Sequence, residues 1–77
     1  MAKVTLYSKP DCPLCDDARL ALERVREHTP FELEEIDINR EVRLLARYAE
    51  RIPVIALDGR DMFDFIVDEE ELVRALA

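Results

Sequence analysis

The fold is decided by one stretch, Tyr7-Ser8-Lys9-Pro10-Asp11-Cys12-Pro13-Leu14-Cys15. A short apolar run, residues 4–7, leads into this stretch and predicts a strand. A helical pattern follows it, with apolar residues spaced for one face at Leu14, Ala18, Ala21, Leu22 and Val25. We therefore predict that both cysteines lie where a strand ends and a helix begins.

The position of Cys12 favours a reactive thiol. Pro13 suits the first helical position, because its missing N–H would have no helical partner there. Cys12 then lies at the helix N-terminus, where unpaired backbone N–H groups and the helix dipole favour negative charge. A thiol in that place ionises more readily than a free cysteine, whose pKa is about 8.5. Cys15, one turn further on, is expected to point into the protein. An exposed attacking thiol beside a sheltered resolving thiol suits thiol–disulfide exchange.

Two other uses of the cysteine pair are open at this point. A structural disulfide between Cys12 and Cys15 would close a loop too short to restrict the unfolded chain much. A zinc site usually needs four ligands. The single histidine, His28, lies at the far end of the predicted helix, so such a site would have to be shared between chains. We therefore expect no resident metal.

Composition limits the classes of function. The 77 residues are expected to form one domain, residues 1–77, with a formal net charge of −7. This charge disfavours nucleic acid and anionic membranes as partners, since phosphate neutralisation needs clustered lysine and arginine. No apolar stretch approaches the ~20 residues of a membrane span, and no leader precedes the first strand. We expect a cytoplasmic monomer, and in that compartment a Cys-x-x-Cys pair is more often redox-active or metal-binding than structural.

The rest of the chain predicts the element order βαβαββα in an α/β fold. After a strand at residues 3–8 and a helix at residues 13–28, a second strand is predicted from Phe31 to Ile38. Its connection to the first strand is a right-handed crossover, so the two should be parallel. Asn39 is predicted to cap a second helix, whose apolar face is Val42, Leu45 and Ala49, with Leu44 and Tyr48 alongside.

The C-terminal part predicts a hairpin and a short helix. Asp58-Gly59 is a strong turn signal between a strand at residues 54–57 and its antiparallel partner at residues 61–67. Phe63 and Phe65 are expected to belong to the core rather than to a docking patch. Asp68, with Glu71 three residues later, resembles a capping box at the start of the last helix. We predict a mixed four-stranded sheet with helices on both faces.

This order resembles the thioredoxin fold in its minimal, glutaredoxin form. The run from Tyr7 to Cys15 is similar to the glutaredoxin active site. Arg51-Ile52-Pro53-Val54 resembles the segment in which that family carries a cis-proline facing the cysteines. The resemblance implies a cis bond before Pro53, which leaves the backbone of Ile52 free to pair with an extended substrate segment. The predicted substrate-binding residues are Lys9, Pro13, Leu14, Arg51, Ile52 and Pro53.

Two departures from the glutaredoxin pattern bear on glutathione. Leu14 stands where glutaredoxins usually have tyrosine, and Phe63-Asp64 stands where they have two glycines. Bulky side chains there should obstruct the close approach that glycine permits, while Asp68 is the remaining candidate to meet the amino group of glutathione. The dithiol chemistry carries over well, whereas glutathione as the reductant does not follow from the resemblance. The two candidate reductants are glutathione and a flavoprotein reductase.

The charges near the cysteines have two interpretations each. Lys9 would stabilise the Cys12 thiolate or a substrate carboxylate, or it is a solvated loop charge. Arg51 would contact a substrate carboxylate, or it is a cation at a helix end. Three aspartates oppose Lys9 by repelling a thiolate, although acidic side chains also favour the first turn of a helix; they are Asp11, Asp16 and Asp17.

The leading hypothesis is a glutaredoxin-like thiol–disulfide oxidoreductase that acts on protein or small-molecule disulfides and needs no organic cofactor or metal. Cys12 is the expected nucleophile and Cys15 the resolving thiol. Two alternatives are a thioredoxin-like binding or redox-sensing module with little turnover, and delivery of a metal or an iron–sulfur cluster.

Overall fold

A computed structural model describes residues 1–77, and its elements follow the predicted order βαβαββα with one 3-10 turn added. No helix combines the length and apolar character that crossing a membrane would require. The strands are β1 Lys3–Ser8, β2 Glu32–Asp37, β3 Val54–Leu57 and β4 Arg60–Asp64; the helices are α1 Pro13–His28, α2 Val42–Tyr48 and α3 Glu69–Leu76; the 3-10 turn is Ile38–Arg40.

The strands form one mixed sheet in the order β2-β1-β3-β4. β1 pairs in parallel with β2 and antiparallel with β3, and α1 is the crossover between the two parallel strands. The β3–β4 hairpin turns at Asp58 and Gly59, both of which have positive φ, at 49° and 87°. Two positive φ values are what a tight hairpin turn requires. The predicted fold class, a thioredoxin-like α/β fold, is confirmed.

The buried side chains form two clusters, and neighbouring strand residues contribute to different clusters. Val4 and Leu6 of β1 belong to the larger cluster, whereas Tyr7 packs against the smaller one. Successive strand residues point to opposite faces, so the clusters cover the two faces of the sheet. The larger cluster is Val4, Leu6, Ala18, Leu22, Val25, Phe31, Ile55, Phe63 and Leu72; the smaller is Cys15, Ile38, Tyr48, Ile52 and Val54.

The predicted start of the second helix was wrong. Asn39 does not cap α2 but lies inside the 3-10 turn, where its backbone N–H donates to the Asp37 carboxylate at 2.9 Å. Glu41 precedes α2 and makes no side-chain cap hydrogen bond. Because Ile38 is fully buried, it holds the turn against the sheet, and the helix begins only at Val42.

The predicted apolar face of α2 was also wrong. Val42 is 83% exposed and Leu45 is 41% exposed, whereas Leu44 and Tyr48 turn towards the smaller core cluster. The ring of Tyr48 stacks on that of Tyr7 with centroids 4.4 Å apart. An aromatic ring buries more apolar area than a valine, so Tyr48 sets the rotation of the helix.

The last strand is shorter than predicted. β4 ends at Asp64 rather than at residue 67, because Phe65 adopts a left-handed backbone conformation with φ 69°. Phe63 is buried as predicted, but Phe65 is half exposed, so its assignment to the core was wrong. Phe65 and Ile66 are thus the bulky residues that follow the end of the strand. The sequence predicted that Phe63 and Asp64 stand there, where glutaredoxins have two glycines. The cap of α3 is confirmed, since the Asp68 carboxylate accepts the N–H of Glu71 at 3.1 Å.

Candidate active site

Cys12 is the N-cap residue of α1, and Pro13 occupies the first helical turn. Asp11, the residue before the cap, has a left-handed backbone conformation with φ 59°. The Sγ of Cys12 accepts a hydrogen bond from the backbone N–H of Cys15 at 3.2 Å. The helix start therefore provides a donor aimed at this sulfur, and the same donor would stabilise a thiolate there.

The two sulfurs form a disulfide and differ in their access to solvent. The Cα atoms of Cys12 and Cys15 are 5.2 Å apart, which lies in the usual range for a bridged pair. Cys12 is partly exposed, while Cys15 is fully buried in the smaller core cluster. Solvent therefore reaches Cys12 but not Cys15.

The segment before β3 lies beside this pair. The Ile52–Pro53 peptide bond is cis, and both residues are buried. Ile52 belongs to the same cluster as Cys15, and Cys12 packs against that cluster. The fold thus brings together residues that are about forty positions apart in the sequence, as the resemblance implied.

Two stacked tyrosines, Tyr7 and Tyr48, pack in or against the cluster that contains Cys15. The Tyr48 hydroxyl donates to the Asp61 carboxylate at 3.0 Å. Burial, assisted by this hydrogen bond to a carboxylate, raises the pKa of Tyr48 to about 12. Tyr48 is therefore a neutral, fixed packing residue for Tyr7, which itself packs against the cluster that holds Cys15.

Arg51 is held by carboxylates of β4. Its guanidinium bonds Asp64 at 3.0 and 2.9 Å and Asp61 at 3.4 Å, and it lies 5.4 Å from the centre of the Tyr48 ring. The hydrogen bonds that Arg51 donates to Asp64 raise the pKa of Arg51. Arg51 is therefore paired with two carboxylates, whereas Lys9 is exposed and makes no ion pair. Lys9, three residues before Cys12 in the sequence, is thus an unpaired cation.

A charged cleft of about 590 Å³ lies at the carboxyl ends of β1 and β2 and includes Lys9. Arg19 of α1 joins Glu35 at 2.7 Å and Asp16 at 2.8 Å, and the hydroxyl of Ser8 donates to Glu35 at 2.8 Å. The hydrogen bonds from Arg19 lower the pKa of Glu35, and the one from Ser8 adds to the effect. Arg19 also forms an ion pair with Asp16. This pair weakens the electrostatic repulsion between the Asp16 carboxylate and a Cys12 thiolate.

Sequence reasoning missed that network. The spacing of Asp16 and Arg19 was a visible signal, because residues three apart on a helix are neighbours. The contact with Glu35 had no such signal, since it joins α1 to β2.

A second, smaller groove of about 300 Å³ lies on the other side of α1. Leu14, predicted to bind substrate, lines it and is half exposed. Phe65 and Ile66 form the opposite wall and were not predicted to belong to any site. His28 lies in the last turn of α1, away from the cysteines, and no group of three or more His, Cys, Asp or Glu side chains is arranged to hold a metal ion.

Known proteins resemble this chain over its whole length. A family model described as "Glutaredoxin-like domain (DUF836)" matches residues 3–77. Protein XcR50 from X. campestris is 32% identical, with a TM-score of 0.77 over 95% of this chain and 93% of that one. Protein Ne2328 from Nitrosomonas europaea is 24% identical, with a TM-score of 0.88 over 99% and 92%. A thioredoxin from Halobacterium salinarum, 21% identical, matches in fold, with a TM-score of 0.68 over 97% and 71%.

Proposed function

This chain belongs to the glutaredoxin-like domain family (DUF836), and on that premise we propose that it is a thiol–disulfide oxidoreductase acting through Cys12 and Cys15. The observation that carries the proposal is the unequal pair at the start of α1: a partly exposed Cys12, whose sulfur accepts a backbone hydrogen bond, and a fully buried Cys15 joined to it. A structural brace has no need of an accessible sulfur, whereas an attacking thiol does.

The reduced protein begins the reaction. The Cys12 thiolate attacks one sulfur of a substrate disulfide, that S–S bond breaks, and the departing thiolate takes a proton from water. Cys15 then loses its proton to water and attacks the Sγ of Cys12. The second substrate thiolate leaves and is protonated in turn. Two electrons have passed to the substrate, and the Cys12–Cys15 disulfide remains.

Turnover requires a thiol reductant that repeats the exchange on the oxidised pair. Glutathione and the dithiol of a flavoprotein reductase are the two candidates. No organic cofactor or metal takes part in the proposed cycle. Lys9, as the unpaired cation before Cys12, would hold the thiolate or a substrate carboxylate. The backbone of Ile52 would pair with an extended substrate segment.

The test is the reduction of a peptide disulfide with dithiothreitol as the electron source. Cys12→Ser should abolish turnover. Cys15→Ser, reduced and then freed of dithiothreitol before the peptide is added, should accumulate a covalent adduct on Cys12, visible as the added mass of one peptide in non-reducing mass spectrometry. Undiminished turnover by Cys12→Ser, relative to the wild-type protein, would refute the proposal.

Other outcomes of the same experiment would favour the alternatives. Ready formation of the Cys12–Cys15 bond with negligible turnover would indicate a redox-sensing module. Iron bound to the protein after anaerobic purification, and lost in the two serine variants, would indicate cluster delivery.

A further inference from the structure

The smaller groove is an exposed apolar surface in a strongly acidic protein. Its walls are the first half of α1 and the connection from β4 to α3. Leu14 is 48% exposed, Phe65 46% and Ile66 75%. Exposed apolar side chains that line one groove together, and are not scattered singly over the surface, are a feature of interaction sites. The apolar lining consists of Leu14, Ala18, Ala21, Phe65, Ile66 and Val67.

The groove is continuous with the proposed active site at both walls. Leu14 lies between the two cysteines in the sequence and lines the groove. The backbone N–H of Phe65 donates to the carbonyl oxygen of Pro53 at 2.7 Å, which fixes the opposite wall to the cis-proline segment. A chain whose cysteine reacts with Cys12 therefore has an apolar surface within reach on one side.

The rim of the groove carries one unbalanced charge. Arg24 and Glu69 both line it, but they form an ion pair at 2.8 Å. Asp17 lines it as well, and its carboxylate makes no ion pair or hydrogen bond. The rim is thus acidic, and the net charge of −7 acts in the same direction. Complementary charge at a rim steers association and selects partners.

We propose that this groove docks polypeptide disulfide substrates, through a large apolar side chain beside the reactive cysteine and a lysine or arginine that faces Asp17. The proposal rests on the oxidoreductase function above and names its substrate class. A volume of about 300 Å³ suits one or two side chains of a longer segment. Small disulfides that carry carboxylates and no apolar side chain gain nothing from such a surface. The electron flow is that of the exchange already described.

The apolar part is tested with two synthetic peptide disulfides that differ only in having leucine or serine beside each cysteine, with dithiothreitol as the electron source. The wild-type protein should favour the leucine peptide about tenfold in kcat/KM, an apolar anchor being worth at least that much. The double variant Phe65→Gly with Ile66→Ser should bring this ratio close to one. Glycine suits the left-handed backbone at position 65, and Ile66 is exposed, so the variant should fold.

The matched control is Val42→Ser. Val42 is 83% exposed, on α2 and outside the groove, so this variant loses a similar exposed apolar group and should keep the tenfold ratio. A second pair of peptides, with lysine or glutamate near the cysteine, tests the rim. Asp17→Lys should reverse the preference for lysine, whereas Glu23→Lys, an exposed residue of the same helix outside the groove, should not. The preference should weaken with added salt.

Each result decides between the two proposals. If the wild-type protein reduces neither peptide faster than dithiothreitol alone does, the oxidoreductase function fails. If both peptides are reduced at equal rates, or the double variant keeps the wild-type ratio, the docking surface is overturned while the function stands. A dimer in analytical ultracentrifugation that the double variant abolishes, with no peptide preference, would assign the groove to a second copy of the chain instead.

Discussion

The backbone N–H of Phe65 donates a 2.7 Å hydrogen bond to the carbonyl oxygen of Pro53 and so ties the residue after β4 to the residue before β3. Phe65 makes this bond with φ at 69°, in the left-handed region. That region costs an L-residue roughly 1–2 kcal/mol. The corner beside the candidate active site is therefore held by a tertiary contact against the local preference of the chain.

A pair of substitutions at position 65 tests this conformation. Phe65→Gly should be more stable than Phe65→Val by about 1 kcal/mol, because glycine adopts positive φ freely and a β-branched residue does so poorly. Urea unfolding followed by circular dichroism measures the difference. The same two substitutions at Ile66, which has no positive φ, should show the opposite order. Equal stability of the two variants at position 65 would contradict the assignment.

The unequal exposure of the cysteines predicts selective labelling. In the reduced protein, limited iodoacetamide should modify Cys12 at least about tenfold faster than Cys15, because Cys15 is fully buried. Peptide mapping by mass spectrometry identifies the modified residue. In denaturant both cysteines should react, and Cys15→Ser should be labelled as the wild-type protein is. Comparable labelling of both sites in the folded protein would show that Cys15 is not sheltered.

The tyrosine pair gives a prediction at alkaline pH. In Tyr7→Phe the remaining tyrosine is Tyr48, and its phenol should ionise at a pKa of about 12, against a usual value of 10, because burial and then Asp61 favour the neutral form. Ultraviolet absorbance measures the titration. The unfolded chain ionises first, so the contribution of Tyr48 to stability is complete below pH 10 and declines as pH rises towards 12. Asp61→Asn should lower the pKa; ionisation at the usual value in Tyr7→Phe would refute the arrangement.

Glu35 gives a prediction at acid pH. Hydrogen bonds from Arg19, and then Ser8, depress its pKa below the usual 4.5, so its stabilising contribution is present above that value and is lost as pH falls through the folded pKa. The side chains of Arg19 and Glu35 are 33% and 37% exposed, so solvent screens the pair. Glu35→Gln should cost only about 0.5–1 kcal/mol at neutral pH.

Denaturant unfolding across the acid range measures this loss. The difference between Glu35→Gln and the wild-type protein should shrink below pH 4.5. Glu32→Gln, on the same strand and without an ion pair, is the matched control and should change stability little at any pH. A difference that stays constant down to strongly acid pH would mean that the ionised carboxylate contributes nothing.

Features with local causes could be predicted from the sequence. Pro13 in the first turn places the start of α1, the Asp58-Gly59 dipeptide forms the hairpin turn, and Asp68 caps α3. Each of these depends on backbone geometry within a few residues. The cysteine pair and Pro53 were found in the same way, from short motifs.

Features set by contacts distant in sequence could not be predicted. The rotation of α2 depends on the stacking of Tyr48 against Tyr7, and the end of β4 depends on the bond between Phe65 and Pro53. Periodicity in one segment carries no information about the surface that the segment will meet. The groove beside Leu14 was missed for that reason, since it exists only where the chain turns after β4.

Because Cys15 is completely buried, Cys12 must react before Cys15 in every thiol–disulfide exchange of the folded protein. Substrate disulfides and partner thiols dissolved in water can exchange with the sulfur of Cys15 only through Cys12, which must form a mixed disulfide first, or while the fold is open. An adduct on Cys12 that Cys15 cannot displace, such as a carboxamidomethyl group, would therefore make both sulfurs unreactive towards disulfides. One modification per molecule would suffice to inactivate the protein.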